Sequence, residues 1–91
     1  MKTAAIRVTG RVQGVWFRAS TREEALRLGL KGFVRNDPDG TVYLEVSGSE
    51  KQIRDLLAWC HEGPRHARVD QVDIREIGHR EFESFTISRQ G

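Results

Sequence analysis

Apolar and polar residues alternate over positions 5–12, with Ile6, Val8, Gly10 and Val12 on one face and Arg7, Thr9 and Arg11 on the other. A period of two is the signature of a strand buried on one side. The period then lengthens. Phe17, Thr21, Ala25 and Leu28 share one face of a helix over 17–29, with Leu26 and Leu30 nearby and Gly29 as the C-terminal stop. Positions 33–36 return to a short strand. NDPDG at 36–40 is a turn with a mechanism: Pro38 presets φ, Asp39 tolerates a tight bend, and Gly40 accepts positive φ. Positions 41–47 come next with Val42, Leu44 and Val46 on one face, which makes the pair of strands a hairpin.

Ser49 and Gln52 form the S-x-x-Q pattern of a capping box. Ile53, Leu56, Leu57 and Cys60 then repeat at helical spacing until Gly63 and Pro64 end the second helix. Positions 69–77 read as a strand with Val72 and Ile74 turned inward, and Phe85 and Ile87 mark a last short strand. The order β-α-β-β-α-β plus a short terminal strand predicts an α+β, ferredoxin-like split βαβ sandwich. Its sheet is expected to be antiparallel with both helices on one face. Without a repeat, linker or low-complexity tract, the 91 residues are expected to form a single domain, 1–91. Such a fold hosts many activities and assigns none.

Composition narrows the function classes. No apolar run approaches the ~20 residues of a membrane helix, and the N-terminus has no secretory apolar segment. Cys60 is the one cysteine, which excludes an intrachain disulfide and suits a reducing cytoplasm. The net charge is +2, and twelve Arg and three Lys are interspersed among thirteen acids. A nucleic-acid partner wants a contiguous basic face instead. The expectation is a cytoplasmic monomer with no membrane or nucleic-acid partner. A small anionic ligand stays open, since one well-placed Arg suffices for it.

GRVQGVWFRAS, residues 10–20, leaves a strand and enters a helix. Helix N-termini carry free amides and partial positive charge. The successive amides of Gln13, Gly14, Val15, Trp16, Phe17 and Arg18 offer a nest for an anion, and Gly14 lets backbone approach it. Arg18 adds a fork of donors suited to phosphate. Plain turn chemistry, with Arg18 a surface charge, accounts for the same letters. A Walker A loop is missing its Lys. A thiol phosphatase loop needs a Cys where Val12 stands. Cys60 belongs to an apolar stripe, and His61, His66 and His79 lack ligand spacing, so no metal site is expected. Trp16 either lines a site or packs in the turn.

Catalysis without a nucleophile, a metal or an evident general base restricts the substrate to an activated one. Acyl phosphates fit, because their carboxylate leaving group needs no strong general acid. The protein then has to hold the phosphoryl group, stabilise its charge and place a water. Asn36, ending a strand in front of the DPDG turn, is the neutral candidate for the water. Capping that turn is the other task open to it.

Four ordered stretches closely resemble the acylphosphatase family: GRVQGVWFR at 10–18, RNDPDGTVYLEV at 35–46, GPRHARVDQV at 63–72 and FESFTI at 82–87. The resemblance implies the ferredoxin-like fold and hydrolysis of small-molecule acyl phosphates to a carboxylate and inorganic phosphate. It implies that Arg18 binds the phosphoryl oxygens, Asn36 orients the water, and the backbone of 13–18 forms the cradle. It implies no metal or organic cofactor. The Gln13 side chain has no evident task, and Tyr43 and Glu45 are expected to face away from the site. One rival is a non-catalytic phosphate-binding or regulatory module, since such domains also occur fused to larger enzymes handling carbamoyl phosphate. The filled catalytic positions favour a free-standing enzyme. An RNA-binding domain shares the element order, but TVYLEVS offers only Tyr43, beside Glu45, as a stacking platform.

Overall fold

The computed structural model describes residues 1–88. Its elements run β1 (Lys2–Arg11), α1 (Phe17–Leu28), β2 (Lys31–Asn36), β3 (Val42–Gly48), α2 (Glu50–Glu62), β4 (Arg68–Ile77) and β5 (Phe85–Ile87). The order is the expected one. β1 starts earlier than its alternation suggests, because Thr3 and Ala4 continue the pairing with Ser47 and Val46 of β3.

The strands form one sheet in the order β4-β1-β3-β2-β5. β1 and β3 are antiparallel at its centre, with Ile6 opposite Leu44 and Val8 opposite Val42. β4 joins β1 and β2 joins β3, both antiparallel. The fifth strand corrects the expectation of a wholly antiparallel sheet: β5 runs parallel to β2, with Phe85 beside Gly32. The cause is the route of the chain. β4 ends beside Thr3, at the end of the sheet where β2 begins. Residues 78–84 cross that end, so β5 sets off in the direction of β2.

One apolar cluster joins sheet and helices. It holds Ile6, Val8, Val34, Val42, Leu44 and Val46 from the strands, Phe17 and Ala25 from α1, and Ile53, Leu56 and Cys60 from α2. Burying each such larger side chain is worth about 1.5–3 kcal/mol. Two apolar residues depart from expectation. Leu26 lies off the Phe17–Thr21–Ala25 line and is 47% exposed. Ile74 is 44% exposed although it sits opposite Ile6, because β4 is an edge strand beyond the well-covered middle of the sheet.

The other face of the sheet is partly covered by the crossing segment. Ser47 Oγ donates to Arg80 O at 2.8 Å, and Arg80 N donates to Thr3 Oγ1 at 3.0 Å. Arg80 also lies 3.2 Å from the Glu45 carboxylate, as an ion pair without an aligned hydrogen bond. These contacts explain why Thr3, Glu45 and Ser47 are buried on a polar face.

The capping box is complete. Ser49 Oγ accepts from Gln52 N at 3.1 Å, and Gln52 Oε1 accepts from Ser49 N at 2.8 Å. Gln52 Nε2 also donates to Leu28 O at 2.9 Å, tying the end of α1 to the start of α2. Ser49→Ala is expected to lower the unfolding free energy by ~1 kcal/mol. Urea unfolding reads this as a lower midpoint at unchanged slope. Gln52→Ala is expected to lose more, because it also strips the partner from Leu28 O.

Candidate active site

The turn from β1 into α1 is pinned from below and twisted above. Val12, Val15 and Phe17 place their side chains in the core. Between them Gly14 and Trp16 take left-handed backbone, at φ 74° and 66°. The two glycines of the stretch have different tasks. Gly10 sits at the register shift between β1 and β4, where a Cβ would lie 2.2 Å from Arg68 O. Gly14 faces open space and is demanded by the sign of its φ alone.

Ser20 N is the first amide of this segment with a backbone partner, donating to Trp16 O at 3.0 Å. Among the described residues, the amides from 14 to 19 have none. The first turn of α1 carries no acidic residue, so the positive end of its dipole is uncompensated. Converging free amides at a helix start are an anion nest. Arg18 stands in that first turn, half-exposed, and among the described residues pairs with no carboxylate, whereas Arg7, Arg35 and Arg80 each do.

Asn36 closes β2 opposite Val42. Its Oδ1 is buried and has no hydrogen-bond partner among the described residues. The turn after it holds itself by other means: Asp37 N donates to Thr41 O, Gly40 N to Asp37 O, and Thr41 N to Asp39 Oδ1. Asp39, not Asn36, caps it. A buried carbonyl left unpaired costs about 1–3 kcal/mol, and such exceptions call for a reason.

Arg18 and Asn36 line one concavity of about 380 Å³, together with Gly14, Trp16 and Phe17. Val12, Ala19 and Ile87 complete its wall. Sequence reasoning missed these three, and only the pairing of β5 with β2 brings Ile87 there. Two residues of the expected cradle are not part of the wall. The Val15 side chain is core. Gln13 turns its carboxamide to the hairpin, where Nε2 donates to Asp37 O at 2.8 Å and Thr41 O at 2.9 Å. The side chain without an evident task therefore braces the loop before α1 against the turn after Asn36.

A second brace lies behind. Asp37 accepts from Arg7 Nη1 at 2.8 Å and from Arg35 Nε at 2.7 Å, and Arg7 also donates to Thr41 Oγ1 at 2.6 Å. Both guanidiniums flank Tyr43, 4.9 and 4.6 Å from its ring centroid, and Tyr43 Oη donates to Glu45 at 2.6 Å. Neither Tyr43 nor Glu45 lines the concavity. Cys60 is buried in the stripe of α2, and burial pushes its thiol up to about 12, far from a nucleophilic thiolate. Among the described residues no three His, Cys, Asp or Glu side chains gather as metal ligands, and no helix is long and apolar enough to cross a membrane.

Burial alone would raise the Asp37 carboxyl, but hydrogen bonds and charge from Arg7 and Arg35 prevail and hold it below the ordinary 3.8. A carboxylate with a depressed folded pKa stabilises the fold above its unfolded value. That contribution is lost as pH falls through the folded value. Asp37→Asn is therefore expected to be less stable than the parent at neutral pH. The gap should close as pH drops below 3.8, and urea unfolding of both proteins across pH checks it.

A family model for acylphosphatase matches residues 4–87. An acylphosphatase of Methylococcus capsulatus is 49% identical over 90 residues, covering 98% of each chain. One from Rubrobacter xylanophilus is 53% identical over 75 residues, covering 82% of this chain and 68% of its own. The solved structure of an acylphosphatase from Coxiella burnetii superimposes with a TM-score of 0.93 at 37% identity, covering 96% of this chain and 92% of that one. The likeness runs from β1 to the last residue of β5 and is not confined to the loop before α1: the chain belongs to the acylphosphatase family.

Proposed function

We propose that this chain hydrolyses acyl phosphates to a carboxylate and inorganic phosphate. In this reading Arg18 and the amides of residues 13–18 hold the phosphoryl group, and Asn36 orients the attacking water. One observation carries it. Arg18, which pairs with no carboxylate among the described residues, and Asn36, whose buried Oδ1 has no partner among them, come from different elements and line the same concavity.

The water oxygen attacks phosphorus, and the bond from phosphorus to the acyl oxygen breaks. The bonding pair leaves with the carboxylate, which is stable at neutral pH and takes no proton. The proton lost by the water ends on the released phosphate. Charge on the non-bridging oxygens meets the Arg18 guanidinium and the nest, donors already aimed before the reaction begins. The amide of Asn36 is not a base. Its carboxamide hydrogen-bonds the water and so fixes the direction in which a lone pair meets phosphorus, which is the contribution of orientation.

The reading extends to a cytoplasmic monomer acting on a small molecule. The single cysteine, buried in α2, suits a reducing compartment. Large exposed apolar side chains are scattered singly, at Met1, Trp16, Leu26 and Ile74. On the sheet face that an RNA-binding domain would use, Tyr43 is engaged by Arg7 and Arg35, and Phe33 packs between Tyr43 and Phe82.

Phosphate release from benzoyl phosphate, with EDTA present, tests the proposal. Arg18→Ala is expected to fold normally and to lose at least ~10²- to 10³-fold in turnover, the loss of one oxyanion-type donor. Full activity in the folded variant overturns the role of Arg18. Asn36→Ala is expected to lower kcat more than it raises KM, because orienting a water acts mainly in the transition state. Phosphate binding without turnover in the parent protein supports the binding-module alternative instead.

A further inference from the structure

Trp16 has three features that holding a phosphoryl group does not use. Its φ of 66° makes it the one non-glycine residue with positive φ among the described residues. Left-handed backbone is a strain for a bulky side chain, and Gly or Asn would give the nest the same amide without it. It occupies the N-cap of α1 yet makes no side-chain capping bond. It is 78% exposed, while the other tryptophan, Trp59, packs on the Phe17 ring at 5.5 Å. A large apolar residue is thus kept in an unfavourable conformation where it serves neither helix nor core.

It does line the concavity of Arg18 and Asn36. The lining combines the polar Arg18 and Asn36 with the apolar Trp16, Ala19 and Ile87. At about 380 Å³ this open concavity has room for a small molecule rather than for one ion alone. An acyl phosphate has matching halves: a charged phosphoryl group for the nest and an acyl group that must lie beside it.

We infer that Trp16 is a specificity-determining residue, the wall of an acyl-group subsite that favours aromatic acyl phosphates over acetyl phosphate. The inference rests on the hydrolase reading above. The exposed indole supplies a flat apolar surface at low entropy cost, and a flat acyl group buries more area against it than a methyl does.

The test compares kcat/KM for benzoyl phosphate and acetyl phosphate in the parent, Trp16→Gly, Trp16→Asn and Trp16→Phe. Gly and Asn accept left-handed backbone, so the nest keeps its shape. The benzoyl-to-acetyl ratio is expected to fall about 5- to 10-fold in both, mainly through KM for benzoyl phosphate, and to be largely kept by Phe. Equal losses on both substrates overturn the subsite and leave the hydrolase reading standing. No turnover of either substrate by the parent overturns both. A second readout needs no change at position 16. In Trp59→Phe protein, phenylphosphonate at saturation is expected to quench Trp16 emission more than methylphosphonate does. Equal quenching by the two overturns the inference.

Discussion

Val8 of β1 lies opposite Val42 of β3, and that register places the two site-bearing loops at one end of the sheet. Beyond Val8 the chain runs into the loop that carries Arg18. Ahead of Val42 it comes out of the turn after Asn36. A slip of one residue would turn either Ile6 and Val8 or Val42 and Leu44 from the core to the polar face, so the register is held by the burial of both strands. It also brings the Gln13 carboxamide within reach of Asp37 O and Thr41 O, and Arg7 within reach of Asp37. The two catalytic candidates share no bond and no element. Their separation is fixed by apolar packing under them and by polar braces around them.

Unfavourable features gather on the side of the concavity and favourable ones behind. Among the described residues, that side has a buried amide oxygen without a partner, a left-handed tryptophan and a run of free amides. On the far side of the same turn, one carboxylate is held by two guanidiniums at 2.8 and 2.7 Å. The unsatisfied polar groups thus lie on one side of the turn and the satisfied ones on the other. Exposed ion pairs are usually worth little. Asp37 differs because its side chain is only 14% exposed and both partners are fixed on strands, β1 and β2, that flank β3.

Local pattern in the sequence was enough for the helices, the hairpin and the capping box, because each arises from residues a few positions apart. Arg18 was legible as a donor at a helix start, and Asn36 as a neutral group at a strand end. The parallel pairing of β5 was not legible, because it depends on where residues 78–84 cross the sheet. The same non-local route brings Ile87 to the site. Exposure of Ile74 comes from its strand being an edge, which alternation cannot report. The task of Gln13 was hidden for a different reason: a glutamine next to a glycine loop looks like backbone supply, and only the fold puts two carbonyls in front of its amide.

β5 also protects an edge of the sheet. Gly32 N donates to Ser84 O and Ser88 N donates to Val34 O, so this short segment occupies the outer hydrogen-bonding groups of β2. An uncovered β2 would be a ready template for another chain. A three-residue strand covers it while offering little edge of its own. At the opposite margin β4 presents Arg68, Asp70, Asp73, Arg75 and Glu76, charges that discourage the same docking. While the chain is being synthesised, β2 is made well before its cover, and through that interval its outer edge has no strand beside it.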